Sequence, residues 1–263
     1  MMGWQRLLAA ASMLALFVAS ALAQPVPASA QLRLSTTLGS TRPTSRVPLT
    51  TTDKSVVDVR GDQDLVLLAK QYTAQQRTDN AVRNAVALAE AGLAPQAIAV
   101  LEPLLRTHPE NSAARQLLAG LLIDDQRRDD AGRCLQAGLL IDPLHLDMAM
   151  MLARLQVDGG DLHGAITSLQ RVETVSSGQA RYQAFLAALL QRDQRHREAA
   201  AYYAIALRSA PQNALWWLGY GVSLRADNQL EAAVEAFRQA SDSPMLSAQL
   251  RAFVDQGLLQ MAH

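Results

Sequence analysis

One cysteine, Cys134, stands in 263 residues. An intramolecular disulfide and a cysteine-ligated zinc cluster are both excluded. Neither sign of charge is in excess, with 24 basic against 24 acidic residues. Nucleic-acid binders carry a basic surplus, and the 5% of aromatic residues is too few for a base-stacking platform. The sequence has no G-x-S-x-G, no H-E-x-x-H, no phosphate-binding loop and no glycine-rich dinucleotide turn. His108, His145, His163, His196 and His263 include no pair at i, i+4 and meet no carboxylate at ligand spacing. Asp158-Gly159-Gly160-Asp161 lacks the spacing of a twelve-residue calcium loop and reads as a turn between helices. No catalytic residue, cofactor or metal site is expected.

What is present divides by character along the chain. Residues 1–23 carry one positive charge, Arg6, then an apolar stretch closing on Ala21-Leu22-Ala23. That is the pattern of a cleaved export signal. As a helix the stretch spans roughly 25 Å, close enough to a ~30 Å hydrocarbon core to serve instead as an uncleaved anchor. Either reading places the remainder beyond the cytoplasmic membrane: periplasmic, or anchored to the inner membrane with the periodic body in the periplasm. Residues 24–61 are dense in Ser, Thr and Pro with no helical period, and are expected to form a flexible linker.

From residue 62 the chain repeats itself every 34 residues. Ala97, Ala131, Ala165, Ala199 and Ala233 keep that spacing, as do the small residues Ala85, Ala119, Ala153, Ala187 and Gly221. A third series is large and apolar: Leu101, Leu135, Leu169, Tyr203 and Phe237. Leu88, Leu122, Gln156, Leu190 and Leu224 form a fourth, polar only at Gln156. Pro109, Pro143 and Pro211 close three of the units, with Ser177 in the corresponding place of the third.

Each unit therefore reads as two helices whose small residues let the backbones approach, while the large residue fills the space between them. Proline ends the second helix, and Ala91-Gly92 and Asp227-Asn228 mark turns between the two. The expected layout is a capping helix over 62–77, five repeats over 78–246 and a second capping helix over 247–263. Cys134 is expected on a helix as a small buried apolar residue.

This pattern resembles the tetratricopeptide repeat, a 34-residue helix–turn–helix. The last unit carries most of it, in Trp217, Gly221, Leu224, Ala233, Phe237 and Ala240. The resemblance implies an all-α, right-handed superhelical solenoid that binds other proteins along a concave face lined by the first helix of each pair. In the family register that face includes Met150, Arg154, Arg181, Gln191, Arg192, Leu218, Val222 and Arg225, a mixed apolar and arginine groove. Arginine there suits carboxylate or backbone-carbonyl recognition. Trp217 falls at a core position, which leaves its neighbour Trp216 as the contact aromatic.

The C-terminal third, with Tyr182–Leu190, Arg197–Tyr203, Leu215–Gly219, Ala233–Ala240 and Leu250–Gln256, further resembles MshN-type proteins of mannose-sensitive haemagglutinin pilus biogenesis. That resemblance implies a non-enzymatic scaffold of the cell envelope, in type IV pilus biogenesis or a related secretion apparatus, with pilus or secretion-machinery subunits as partners and no nucleic acid. The open alternatives are a general periplasmic adaptor in envelope or polysaccharide export, and an auxiliary subunit of a cell-wall enzyme.

Overall fold

The computed structural model describes residues 59–176, 178–244 and 246–261. The expected signal or anchor over 1–23 lies outside the described residues, as does the expected linker over 24–61 up to residue 58. Among the described residues every regular element is helical. They form two compact units that divide between Ile141 and Asp142.

The first unit holds α1 (Val59–Glu90), α2 (Ala94–Thr107), α3 (Ser112–Asp124) and α4 (Arg128–Ile141). The second holds α5 (Leu146–Asp158), α6 (Leu162–Gln170), a 3-10 turn (Glu173–Val175), α7 (Ala180–Arg192), α8 (His196–Ser209), α9 (Ala214–Ala226), α10 (Leu230–Ser241) and α11 (Ala248–Met261). Helix α1 runs unbroken through the point where a separate capping helix over 62–77 was expected to give way to the first repeat. The reason lies in the sequence: no glycine or proline falls between Asp62 and Glu90 to stop it.

The turn inside every pair is built the same way. Gly92, Gln126, Gly160, Gln194 and Asn228 follow one another at the repeat spacing, and all five adopt a left-handed backbone with φ between 61° and 84°. Each ends a first helix in a Schellman arrangement. The next residue's N–H reaches back to the carbonyl five residues earlier: Leu93 to Leu88 at 2.9 Å, Arg127 to Leu122 at 2.8 Å, Asp161 to Gln156 at 2.7 Å, Arg195 to Leu190 and Gln229 to Leu224 at 2.9 Å. Two of these positions are glutamine, which adopts that backbone only against a steric cost.

The turns between pairs contain Pro109, Pro143 and Pro211. The next helix then starts on a side-chain cap: Asn111 Oδ1 accepts from Ala114 N at 2.8 Å, and Asn213 Oδ1 from Trp216 N at 3.2 Å. His145 Nδ1 plays that part for α5, accepting from Met148 N.

The periodic series form the core. The five alanines from Ala97 to Ala233 are fully buried, as are Ala85, Ala119, Ala153 and Ala187, and the large series from Leu101 to Phe237. Helices approach closely enough that a Cβ on Gly221 would meet the Phe237 ring at 2.8 Å. One on Gly219 would meet Tyr203 Cζ at 2.4 Å.

The third pair is the exception. Its second helix, α6, stops at Gln170, and the 3-10 turn follows. The buried Tyr182 hydroxyl donates to the Leu169 carbonyl at 3.0 Å, and Ser176 Oγ donates to the Glu173 carbonyl at 2.7 Å. Both carbonyls also accept a backbone N–H, from Val172 at 3.0 Å and from Ser176 at 3.2 Å, so the side chains add a second bond at the irregular end of the pair. The polar Gln156 in the otherwise apolar series is satisfied in place, because Ser168 Oγ on α6 donates to its Oε1 at 2.9 Å.

Candidate functional site

Within the second unit the first helices of the pairs are α5, α7 and α9, and the residues expected to line a groove lie on them. They divide into two groups. Leu218 is fully buried, and Val222, Trp216 and Gln191 are no more than 7% exposed. Leu218 and Val222 pack in one apolar cluster with Leu246, Leu250 and Val254, the last two on α11. Trp216 packs against Ala184, Ala187, Ala188, Tyr203, Ala206 and Leu207 of α7 and α8. These four residues are core, not an open groove lining. The small side chains of α7 let α9 sit against it, and α11 covers the remaining apolar face of α9.

Trp217 packs against the apolar clusters as expected, but Trp216, expected as the contact aromatic, is the more deeply buried of the two. Trp216 is the buried one, while Trp217 is half-buried and donates from Nε1 to the Pro211 carbonyl at 2.6 Å. Arg225 is half-buried with its guanidinium 5.8 Å from the Phe237 ring centroid and 6.0 Å from that of Phe253 on α11. Burial lowers its pKa. It serves as a cationic lid on two rings inside the packing of α9, α10 and α11. Arg192 is half-exposed at the last turn of α7, where its charge complements the helix dipole.

Met150, Arg154 and Arg181 remain accessible. Met150 and Arg154 lie one turn apart on α5, both half-buried, and Arg181 is exposed on the first turn of α7. The Arg154 guanidinium lies 5.7 Å from the centroid of the Phe185 ring, which is one turn beyond Arg181 on α7. Arg154 Nε is buried and has no hydrogen-bond partner among the described residues. Its pKa is lowered, first by burial and then by the charge of Arg181, while Asp147 and Asp158 pull the other way. Neither aspartate closes an ion pair with it, and none of the ion pairs among the described residues includes Arg154 or Arg181.

Phe185 was not singled out from the sequence as a site residue. Its signal was available, since it stands four residues after Arg181 on one helical stripe. Arg115 was also passed over. It is a buried arginine that donates from Nη2 to the Pro109 carbonyl at 2.6 Å and from Nη1 to the Cys134 carbonyl at 3.1 Å. Cys134 is half-buried beside it, with burial raising its thiol pKa, so it is not a reactive thiolate.

No group of three His, Cys, Asp or Glu side chains that could hold a metal ion occurs among the described residues. No described helix is long and apolar enough to cross a membrane.

Paired helices in a fixed register, a periodic small-residue core and arginines on a first-helix face define a helical-repeat array. Family patterns described as tetratricopeptide repeat match residues 88–147 and 186–244. Solved structures agree on the fold. YrrB, described as a tetratricopeptide-repeat protein with an unusual peptide-binding site, is 16% identical with a TM-score of 0.59, covering 71% of this chain and 97% of its own. A MamA protein is 18% identical with a TM-score of 0.56, covering 62% of this chain and 89% of its own. PilF of Pseudomonas aeruginosa is 14% identical with a TM-score of 0.56, covering 71% and 89%. No curated protein sequence matches the chain.

Proposed function

We propose that this chain is a non-enzymatic scaffold of the cell envelope that holds other proteins during assembly of a type IV pilus or a related secretion apparatus. The observation that carries the binding role is the face shared by α5 and α7. Two arginines there lie near enough for one charge to act on the other, and neither is neutralised by an ion pair. Like charges cost energy wherever water is partly excluded, and the Arg154 pKa stays lowered despite Asp147 and Asp158. A partner that supplies the missing acceptors removes the cost.

The placement in the envelope is supported by the signal-like or anchor-like residues 1–23. The pilus assignment is supported by the MshN-type resemblance of the C-terminal third. The peptide-binding site in YrrB's description supports peptide recognition on this repeat framework.

Crosslinking in living cells, followed by capture of the tagged chain, tests the reading. Recovery of pilus or secretion-machine subunits is the expected result. Recovery of polysaccharide-export or cell-wall enzymes would replace the pilus assignment with an adaptor or auxiliary-subunit role. Turnover of a cell-wall substrate by the purified chain alone would overturn the non-enzymatic reading.

A further inference from the structure

Helix α11 has the register of a first helix, beginning one repeat after Ala214 of α9, and no second helix follows it among the described residues. On α9 the face at Gly221 receives Phe237 of α10. The corresponding face of α11 carries Ala248, Ala252, Asp255 and Leu259, spaced at i, i+4, i+7 and i+11 and so aligned on one stripe. All four are exposed, Leu259 by 67%. Arg251, also exposed, flanks the stripe, and a shallow pocket lined in part by Ala248, Arg251, Ala252 and Asp255 opens along it.

The two charges on this face do not pair with each other. Arg251 and Asp255 lie one turn apart, yet neither enters an ion pair among the described residues. A cation placed N-terminal to an anion is the weaker order for such a pair. Arg251 Nη2 donates instead to the Ser243 carbonyl at 3.1 Å.

We infer that this face is an interface for a second copy of the chain, with the two α11 helices antiparallel about a two-fold axis. The scaffold reading concerns other proteins, and this inference stands or falls without it. The stripe is complementary to itself in the antiparallel sense. With the axis level with residues 253 and 254, the large Leu259 of each copy lies opposite the small Ala248 of the other. Ala252 lies opposite Asp255 and leaves room for its carboxylate. Arg251 stands one residue, about 1.5 Å, from level with the same Asp255, within reach of a long side chain. Two-fold symmetry makes each contact twice. A parallel pairing would set Arg251 against Arg251 and Asp255 against Asp255. A repeat's own second helix brings an apolar ring to this place, as Phe237 does at Gly221, and leaves Asp255 unpaired. A second α11 brings Arg251. One helix per copy buries less than the ~1,200 Å² of stable interfaces, so the dimer is weak and reversible.

Sedimentation velocity of the full chain over a range of concentrations tests the inference. Wild type should pass from monomer to dimer as concentration rises, and added salt should oppose it. Arg251→Asp makes the face wholly acidic and Asp255→Arg makes it wholly basic, so each should weaken self-association by about tenfold or more. Mixing the two variants should restore the dimer, because every cross-copy contact is again between opposite charges. Both positions are exposed, and unchanged ellipticity confirms that the variants fold. Under oxidation Ala252→Cys, close to the axis, should give a disulfide-linked dimer. Wild type, with Cys134 alone, and Gln239→Cys on α10 should not. A wild type that stays monomeric at every concentration, a dimer indifferent to both charge changes, or a mixture no more associated than its components would overturn the inference.

Discussion

Replacing Gly219 with alanine should destabilise the second unit, against the usual preference of a helix for alanine. An ideal Cβ at residue 219 falls 2.4 Å from Tyr203 Cζ, 2.5 Å from its Oη and 2.9 Å from its Cε2. Ordinary carbon contacts need about 3.5–4.0 Å, so the ring must retreat by about 1 Å. Tyr203 is fully buried and donates to Gln191 Oε1 at 3.3 Å, which leaves it little room to do so. Overpacking costs about 1–3 kcal/mol and the disturbed buried hydrogen bond about 1 kcal/mol. Alanine returns about 1 kcal/mol of helix propensity. The net loss is about 2 kcal/mol. Gly221→Ala meets Phe237 ring atoms at 2.8 to 3.2 Å, a smaller intrusion, and should cost about 1 kcal/mol.

Gly257→Ala is the control. Its nearest neighbours would be Arg225 Nη1 at 3.6 Å and Phe237 Cε2 at 3.7 Å, ordinary contacts, so it should gain up to about 1 kcal/mol. Urea unfolding followed by tryptophan fluorescence reads the effect directly, because Trp216 and Trp217 are neighbours of Gly219 in α9. The expected order of stability is Gly257→Ala, wild type, Gly221→Ala, Gly219→Ala. Tyr203→Leu places at 203 the residue found at Leu101, Leu135 and Leu169 in the same register. In that background Gly219→Ala should cost less by about 1 kcal/mol or more. A Gly219→Ala protein as stable as wild type, or one unchanged by Tyr203→Leu, would refute the close-approach argument.

Three further outcomes follow from the same geometry. Gln126→Gly should stabilise the first unit by about 1 kcal/mol, because Gln126 holds φ at 62° where glycine has no Cβ to clash, and thermal unfolding measures it. Ser168→Ala should cost about 1 kcal/mol by orphaning Gln156, while the double change Gln156→Leu with Ser168→Ala should be neutral or stabilising in the same assay. Tyr182 has its pKa raised from 10.0 to about 12, chiefly by burial, so its neutral form belongs to the folded state. The stability it contributes is complete below the unfolded value and is lost as pH rises through the folded one. Unfolding at high pH should therefore steepen between about 10 and 12, and Tyr182→Phe should flatten that limb, as read by ellipticity against pH.

The pairing of helices was legible because each periodic series answers to one structural demand. Ala97 and its successors are alanine because a neighbouring backbone passes there, and Leu101 and its successors are large because that approach leaves a space between helices. The turn positions were partly legible. Gly92 and Asn228 announce themselves, but Gln126 and Gln194 adopt the same backbone with no local signal, and the register alone identifies them. The burial of Trp216, Leu218 and Val222 was not legible. A 34-residue register gives the face of a helix on which a residue sits, but not how near the adjacent first helix comes. That distance depends on Ala184, Ala187 and Ala188 of α7 for Trp216, and on Leu250 and Val254 of α11 for Leu218 and Val222.

The same consideration explains why α11 behaves differently from the helices it resembles. It begins at Ala248, one repeat after Ala214, and its Val254 and Leu250 pack as a first helix does. Seven residues in, where Ala85, Ala119, Ala153, Ala187 and Gly221 are small and buried, α11 places Asp255, and it is exposed. A second helix packed on that face in the manner of the other pairs would bury a carboxylate without a partner, which costs several kcal/mol (about 2–7 even for an uncharged polar group). One aspartate thus keeps α11 apolar toward α9 and α10 and polar on the face where a paired helix would lie. Asp255→Ala should make that face permissive. Replacing residues 262–263 with a copy of residues 228–244, which keeps the 34-residue register, should then give added helix with cooperative unfolding in the alanine variant and not in the protein that keeps Asp255. Equal ordering of the appended segment in both would show that the small-residue slot does not decide whether a first helix accepts its partner.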